Sequence, residues 1–339
     1  MPRRIKGITS DTAASPLRRA LHYAFYDWTR EMSRPKRLIT SVGIALQGYT
    51  IYCVLMWALG VPNALLGYML VLPKGPPGYL AALLLYMIGT YVMNGMLASE
   101  FVRKAQLEAD QVAAKQIQQT LHPQKLQELQ GYKVETLYKP FRDVGGDYFD
   151  VIELPNDRTL FAVADVSGKG VPAALLAANI QALVRSIANV EPEPLALARQ
   201  INKHLSRYTP PDRFATAVFI VLSRETGELT YVNAGHNPPI VAGSGSTTFL
   251  QATGIPLGLF SGAEYEVAKA VIPPGSVLLL YTDGLTDSIS AKNPADRLRE
   301  VLADDSGRTM SKLESLVDVK LLGDDVTILL LKRPACSSD

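Results

Sequence analysis

Several aspartates stand where a plain surface charge is a poor explanation. Asp165 ends the apolar run Leu160-Phe161-Ala162-Val163-Ala164, and Asp283 follows Val277-Leu278-Leu279-Leu280-Tyr281. The pair Asp324-Asp325 precedes Val326-Thr327-Ile328-Leu329-Leu330-Leu331, and Asp147 follows Gly145-Gly146. A carboxylate at the end of a buried strand loses hydration unless a cation or hydrogen-bond donors replace the water. Hard divalent cations take oxygen ligands, and aspartates from separate strand ends can gather round them. Taken singly, each aspartate fits a turn or a helix cap better. Four such sites in one domain favour a shared cation, but spacing alone does not bring them together.

Other chemistries are excluded by their missing parts. Ser167-Gly168-Lys169-Gly170 has the look of a phosphate-binding loop, but Gly170 stands where Ser or Thr must follow the lysine, and the earlier glycine is missing. There is no G-x-S-x-G elbow and no H-E-x-x-H. The histidines His22, His122, His204 and His236 are too scattered for a zinc cluster, and His236, in Asn233-Ala234-Gly235-His236-Asn237-Pro238-Pro239, reads as a loop-structuring residue. Two cysteines, Cys53 and Cys336, make neither a disulfide framework nor a Cys-based zinc site.

Six strings share an order and a spacing: RDVGGDYFDV (142–151), VADVSGKGVPAALL (163–176), NAGHNPP (233–239), GIPLGL (254–259), YTDGLTD (281–287) and GDDVTILLL (323–331). Together they resemble the SpoIIE/RsbU-type branch of the metal-dependent PPM serine/threonine phosphatases, over roughly Lys115–Arg333. The segment Ala114–Pro123 is similar to the helix that links sensor and catalytic domains in that family, with His122 where a leucine is usual. The resemblance implies an α/β/β/α sandwich, two antiparallel sheets flanked by helices, with two manganese or magnesium ions in a cleft at one edge. Motif by motif, it implies that Asp147 and Asp165 hold the metal pair, with Asp147 bridging, and that Val166 offers its backbone carbonyl. Asp283 and Asp324 complete the second ion's shell, with Asp325 as the alternative acid. Arg142 is a candidate phosphate contact. Ser167 stands where animal and plant relatives carry a histidine proposed as leaving-group acid. The implied activity is hydrolysis of phosphoserine or phosphothreonine in a regulatory protein of the anti-sigma-factor-antagonist kind. The competing expectation is a catalytically silent module that tethers a partner at the membrane, which lost metal ligands would signal; the acidic positions all remain.

The elements that must position these residues read as α+β. Strand texture covers Tyr132–Pro140, Phe149–Leu154, Thr159–Asp165, Phe214–Ser223, Leu229–Asn233, Ser276–Tyr281 and Asp325–Leu331, and helical texture Val171–Val190 and Pro194–Tyr208. Short connections suit antiparallel pairing, and helices grouped in blocks suit a layered sandwich rather than a doubly wound sheet. The domain is expected over 125–333, with a loose tail at 334–339.

Ahead of it lies a different kind of chain. Residues 1–37 carry nine Lys or Arg and three acids, a net +6 that leaves −4 for the rest of a chain whose total is +2, so nucleic-acid binding is not expected. From Leu38 to Ser99 the only charge is Lys74. Within 38–99 the runs 38–61 and 79–98 are each long enough to span a bilayer as a helix, and prolines break the stretch between them. Basic residues before the first run and Arg103-Lys104 after the second place both ends in the cytoplasm, which two passes satisfy. The expectation is a multi-pass protein of the plasma or inner membrane, with its phosphatase domain in the cytoplasm. Residues 100–124 form a helical linker. Val102, Ala105, Ala109 and Val112 at 3/4 spacing suit a parallel coiled coil in a homodimer or a lone amphipathic helix equally.

Overall fold

The structure, a computed structural model, describes residues 42–44, 47–48, 76–121, 129–141, 144–243, 245–291, 293–303, 308–318 and 322–335. Arg142, His122, the basic segment 1–37 and all but five residues of 38–61 lie outside them. The chain divides into two units, Met1–Glu108 and Ala109–Asp339.

In chain order the elements are α1 (Pro76–Leu121), β1 (Lys133–Lys139), β2 (Tyr148–Leu154), β3 (Arg158–Val166), α2 (Val171–Ala188), α3 (Pro194–Tyr208), β4 (Ala215–Ser223) and β5 (Glu228–Ala234). There follow β6 (Ile240–Gly243), β7 (Ser246–Phe249), β8 (Ala268–Val271), β9 (Val277–Tyr281), α4 (Asp283–Asp287), α5 (Pro294–Leu302), α6 (Thr309–Leu316) and β10 (Val326–Lys332).

In the first unit, α1 takes up the whole of the apolar run 79–98 and continues through the Ala- and Gln-rich segment after it. Leu84, Met87, Ile88 and Tyr91 on this helix are exposed. The described residues of the earlier apolar run meet it through a polar bond, in which Gln47 Nε2 donates to Thr90 Oγ1 at 2.9 Å. The Thr90 hydroxyl in turn donates to Tyr86 O.

In the second unit the strands form two five-stranded sheets, ordered β1-β10-β9-β6-β7 and β2-β3-β4-β5-β8, antiparallel throughout. Alternation along each strand sorts side chains into three apolar layers. On β3, Leu160, Ala162 and Ala164 face α2 and α3, while Phe161 and Val163 point between the sheets. On β10, Leu329 and Leu331 meet them there, and Ile328 and Leu330 face α5 and α6. The result is helices, sheet, sheet, helices: the α/β/β/α sandwich that the motifs imply.

Among the described residues, the helix long and apolar enough to cross a membrane is α2. Its Ala173, Leu176, Ala177, Ile180 and Val184 are buried against β2 and β3 in the domain core, which accounts for that composition. A salt bridge fixes α2 to β2. Asp150, 1% exposed, accepts from Arg185 Nε at 2.7 Å and Nη2 at 3.2 Å, and from Tyr148 Oη at 3.2 Å.

Candidate functional site

Strand direction brings the aspartates together. β2 starts, β3 ends, β9 ends and β10 starts at one end of the sandwich, so Asp147, Asp165, Asp283 and the pair Asp324-Asp325 all emerge there. The opposite strand ends, around Val277 and Lys332, border a groove whose cations are already engaged: Arg333 on the carbonyls of Thr226, Ile272 and Glu225, and Lys332 on Glu135. Parity adds to direction, because Asp165 shares that of Phe161 and Val163, and Asp325 that of Leu329 and Leu331, all of which look between the sheets.

Asp147 is 2% exposed. Its Oδ2 accepts Thr327 Oγ1 at 2.6 Å and Thr282 Oγ1 at 2.8 Å. Thr282 Oγ1 itself accepts the Thr327 amide at 3.0 Å, so two neighbouring strands fix one carboxylate oxygen. Val166 O lies against Gly146, where an added Cβ would stand 3.1 Å from it. Asp325 is held differently from its neighbour: Oδ1 accepts the Phe141 amide at 2.8 Å and Oδ2 the Gly146 amide at 2.6 Å. Asp324 is partly exposed, and its Oδ2 pairs with Lys169 Nζ at 2.8 Å. Lys169 also donates to Gly323 O and lies 5.0 Å from the centre of the Phe141 ring. Asp324 Oδ1 accepts the Asp325 amide at 3.0 Å, so Asp324 is tied by one local amide and an exposed lysine, whereas Asp325 braces the loop that presents Asp147.

Crowded carboxylates raise one another's pKa. Burial, then the charge of Asp165, holds Asp147 well above the usual carboxylate range, against the pull of the two threonine hydroxyls. Asp165 is pushed up to about 7 by burial and by Asp283, Asp324 and Asp325. Asp283 is raised by burial and by Asp324, with Lys169 opposing. Among the described residues no three His, Cys, Asp or Glu side chains stand at the spacing of a formed coordination shell. The donors are nonetheless all oxygen, they carry excess negative charge, and they surround one end of the sheets; hard divalent cations fit that chemistry.

Ser167 structures its loop: its Oγ accepts the Phe214 amide at 3.0 Å, and Arg213 Nη1 donates to its carbonyl at 3.0 Å. His236 is buried, bonded through Nδ1 to Thr216 Oγ1 at 2.8 Å, and burial lowers its pKa to about 4, so it is a neutral loop anchor beside Asp165's strand partner Thr216. The motif reading passed over Thr282 and Thr327, the positioners of Asp147. A hydroxyl inside the apolar run of β10 was the available signal. Gln118 was marked only through its segment, Ala114–Pro123, by the likeness to the family's linker helix.

The family described as Stage II sporulation protein E (SpoIIE) matches residues 155–334. The chain is 28% identical over 257 residues to protein IcfG of Synechocystis, covering 65% of this chain and 40% of that one. It is 26% identical to phosphoserine phosphatase RsbU of Bacillus subtilis, covering 65% of this chain and 69% of RsbU. The chain thus spans less than half of IcfG, though more of RsbU. Among solved structures, the RsbU and RsbW domains of a Mycobacterium tuberculosis protein superpose with a TM-score of 0.53 at 27% identity, over 60% of each chain. Motif order, sandwich topology and a match across more than half of its length agree: the chain belongs to the SpoIIE family.

Proposed function

We propose that this protein is a membrane-anchored, metal-dependent phosphatase acting on phosphoserine or phosphothreonine in a regulatory protein of the anti-sigma-factor-antagonist kind. The observation that carries the reading is the meeting of Asp147, Asp165, Asp283 and Asp324 at one end of the sandwich, in a chain similar to a phosphoserine phosphatase. The exposed apolar side chains of α1, and the Gln47–Thr90 bond between the two apolar runs, support two passes with the catalytic domain in the cytoplasm.

Asp147, Asp165, Asp283, Asp324 and the Val166 carbonyl would hold two divalent ions, manganese or magnesium. When bound, such ions acidify water and screen the phosphate charge. The chain's own residues prepare that chemistry. Thr282 and Thr327 fix one oxygen of Asp147, so its carboxylate cannot rotate away. Asp165, pushed up to about 7, is part-protonated near neutral pH and would hold a cation as the carboxylate. Lys169, partly exposed beside Asp324, puts a positive charge where a phosphoester anion arrives. Ser167 is engaged by its loop, so protonation of the departing serine or threonine oxygen falls to solvent.

Phosphate release from a phosphoserine peptide by the full chain in detergent micelles tests the reading. Turnover is expected with manganese or magnesium, none with EDTA, and none in Asp165→Asn or Asp283→Asn. A folded chain that takes up no divalent cation by calorimetry would overturn it.

A further inference from the structure

The Gly145-Gly146 turn that delivers Asp147 is held from two sides. On one side is Asp325, through the Gly146 amide. On the other is Gln118, in the last turn of α1. Its Nε2 donates to Gly145 O at 2.7 Å, and its Oε1 accepts the Gly145 amide at 3.1 Å. One carboxamide thus satisfies both backbone polar groups of Gly145, which are buried and need partners. A carboxamide carries a donor and an acceptor side by side in one plane, which suits both groups at once. Gly145 admits no side chain: a Cβ would stand 2.4 Å from Tyr138 Oη and 2.6 Å from Asp325 Oδ2. The turn therefore has no apolar side chain of its own to lock it, and the two clamps do that work.

The docking of this helix turn is itself unusual. Gln118 is buried, and Ala114 and Lys115 on the same face are half-buried, while Val112 and Ile117 are exposed. Among the described side chains of α1, the one sunk deepest is polar. A contact of that kind is directional: a small rotation or slide of the helix breaks both bonds, where a greasy contact would merely slip.

We infer that Gln118 is a positioning residue for the candidate cation site, holding the turn that presents Asp147. The inference rests on the cation-site reading above. It goes beyond that reading by assigning a residue outside the six motifs of the catalytic domain.

Manganese calorimetry on the full chain in detergent micelles tests it, with wild type, Gln118→Leu and Gln118→Glu compared. Removal of groups that orient metal ligands commonly weakens affinity by about 10-fold or more. Gln118→Leu is expected to show such a loss, with the manganese needed for half-maximal phosphate release rising in step. The rate at saturating manganese should return to within about twofold of wild type. Gln118→Glu keeps the acceptor for the Gly145 amide but sets a carboxylate oxygen against the Gly145 carbonyl, so it should also lose affinity, by about 10-fold; if the leucine variant does not fold, this one carries the test. Unchanged affinity in a folded variant overturns the role of Gln118 while leaving the cation site standing. A maximal rate lost at unchanged affinity does the same. A wild-type chain that binds no manganese overturns both.

Discussion

Asp325 accepts the Gly146 amide at 2.6 Å with one oxygen and the Phe141 amide at 2.8 Å with the other, so its carboxylate is a brace between β10 and the loop that presents Asp147. Asp324, next to it in the chain, bonds outward to Lys169. The two acids should therefore fail differently. Asp325→Asn replaces one acceptor by a donor facing an amide, and is expected to cost about 2 kcal/mol in urea unfolding. Asp324→Asn should change stability by no more than about 0.5 kcal/mol while weakening manganese binding. Equal losses of stability would mean that this division of roles is wrong.

The raised pKa of Asp165 makes a prediction about pH. Its carboxyl titrates near 7 in the fold, against an ordinary value of about 3.9. Between those values the folded chain keeps a proton that the unfolded chain has released. The cation-free protein therefore loses stability as pH rises through that window. Asp165→Asn removes the ionisation, so in EDTA it should be more stable than wild type by about 4 kcal/mol near pH 8 and little different near pH 4. Manganese affinity of the wild type should climb as pH rises through about 7, since binding expels the proton. A stability difference independent of pH would count against the shift.

Lys169 sits between two tasks. Its ammonium occupies Asp324 and bonds Gly323 O, and in the proposed reaction it also meets the phosphate. Lys169→Met should bind manganese more tightly, because Asp324 is released, yet show a KM for a phosphoserine peptide raised by about 3- to 10-fold. Both effects in the same direction would refute this double placement.

A structural control comes from Arg185. Its removal leaves Asp150 buried without an opposite charge, held by the Tyr148 hydroxyl and the Val151 amide alone, so Arg185→Met should destabilise the domain by about 2 kcal/mol, moderated by the exposure of the arginine itself. Manganese affinity should be unaffected, because this pair is a tie between α2 and β2.

Elements with a buried face were legible before any coordinates. β3, β4, β9 and β10 emerge within one or two residues of the runs read for them, because a strand packed on both sides must be apolar along its length. The hairpin β6–β7 and the strand β8 were not read. β7 is Ser-Thr-Thr-Phe, largely exposed at the edge of the first sheet, and β8 is a four-residue strand, half exposed, at the edge of the second. Such strands are held by backbone bonds to one neighbour, which leave little pattern in side-chain type. The short helices α5 and α6 escaped for a related reason: each buries only two or three side chains against the first sheet.

From residue order alone came the layered α+β architecture, the family resemblance and the aspartates worth watching, since apolar periodicity and local motifs are properties of neighbours along the chain. What the folded chain decided was how adjacent acids divide their work. Asp324 and Asp325 are alike in type and differ by one position, but successive side chains at a strand end point to opposite sides, and only the loop packed there determines which one meets two amides. The same holds for Gln118 and Thr327, 27 and 180 residues from the turn and the carboxylate they hold. Bonds across such separations depend on the packing of α1 and β10 against the Gly145-Gly146 turn, a relation that no stretch of sequence contains.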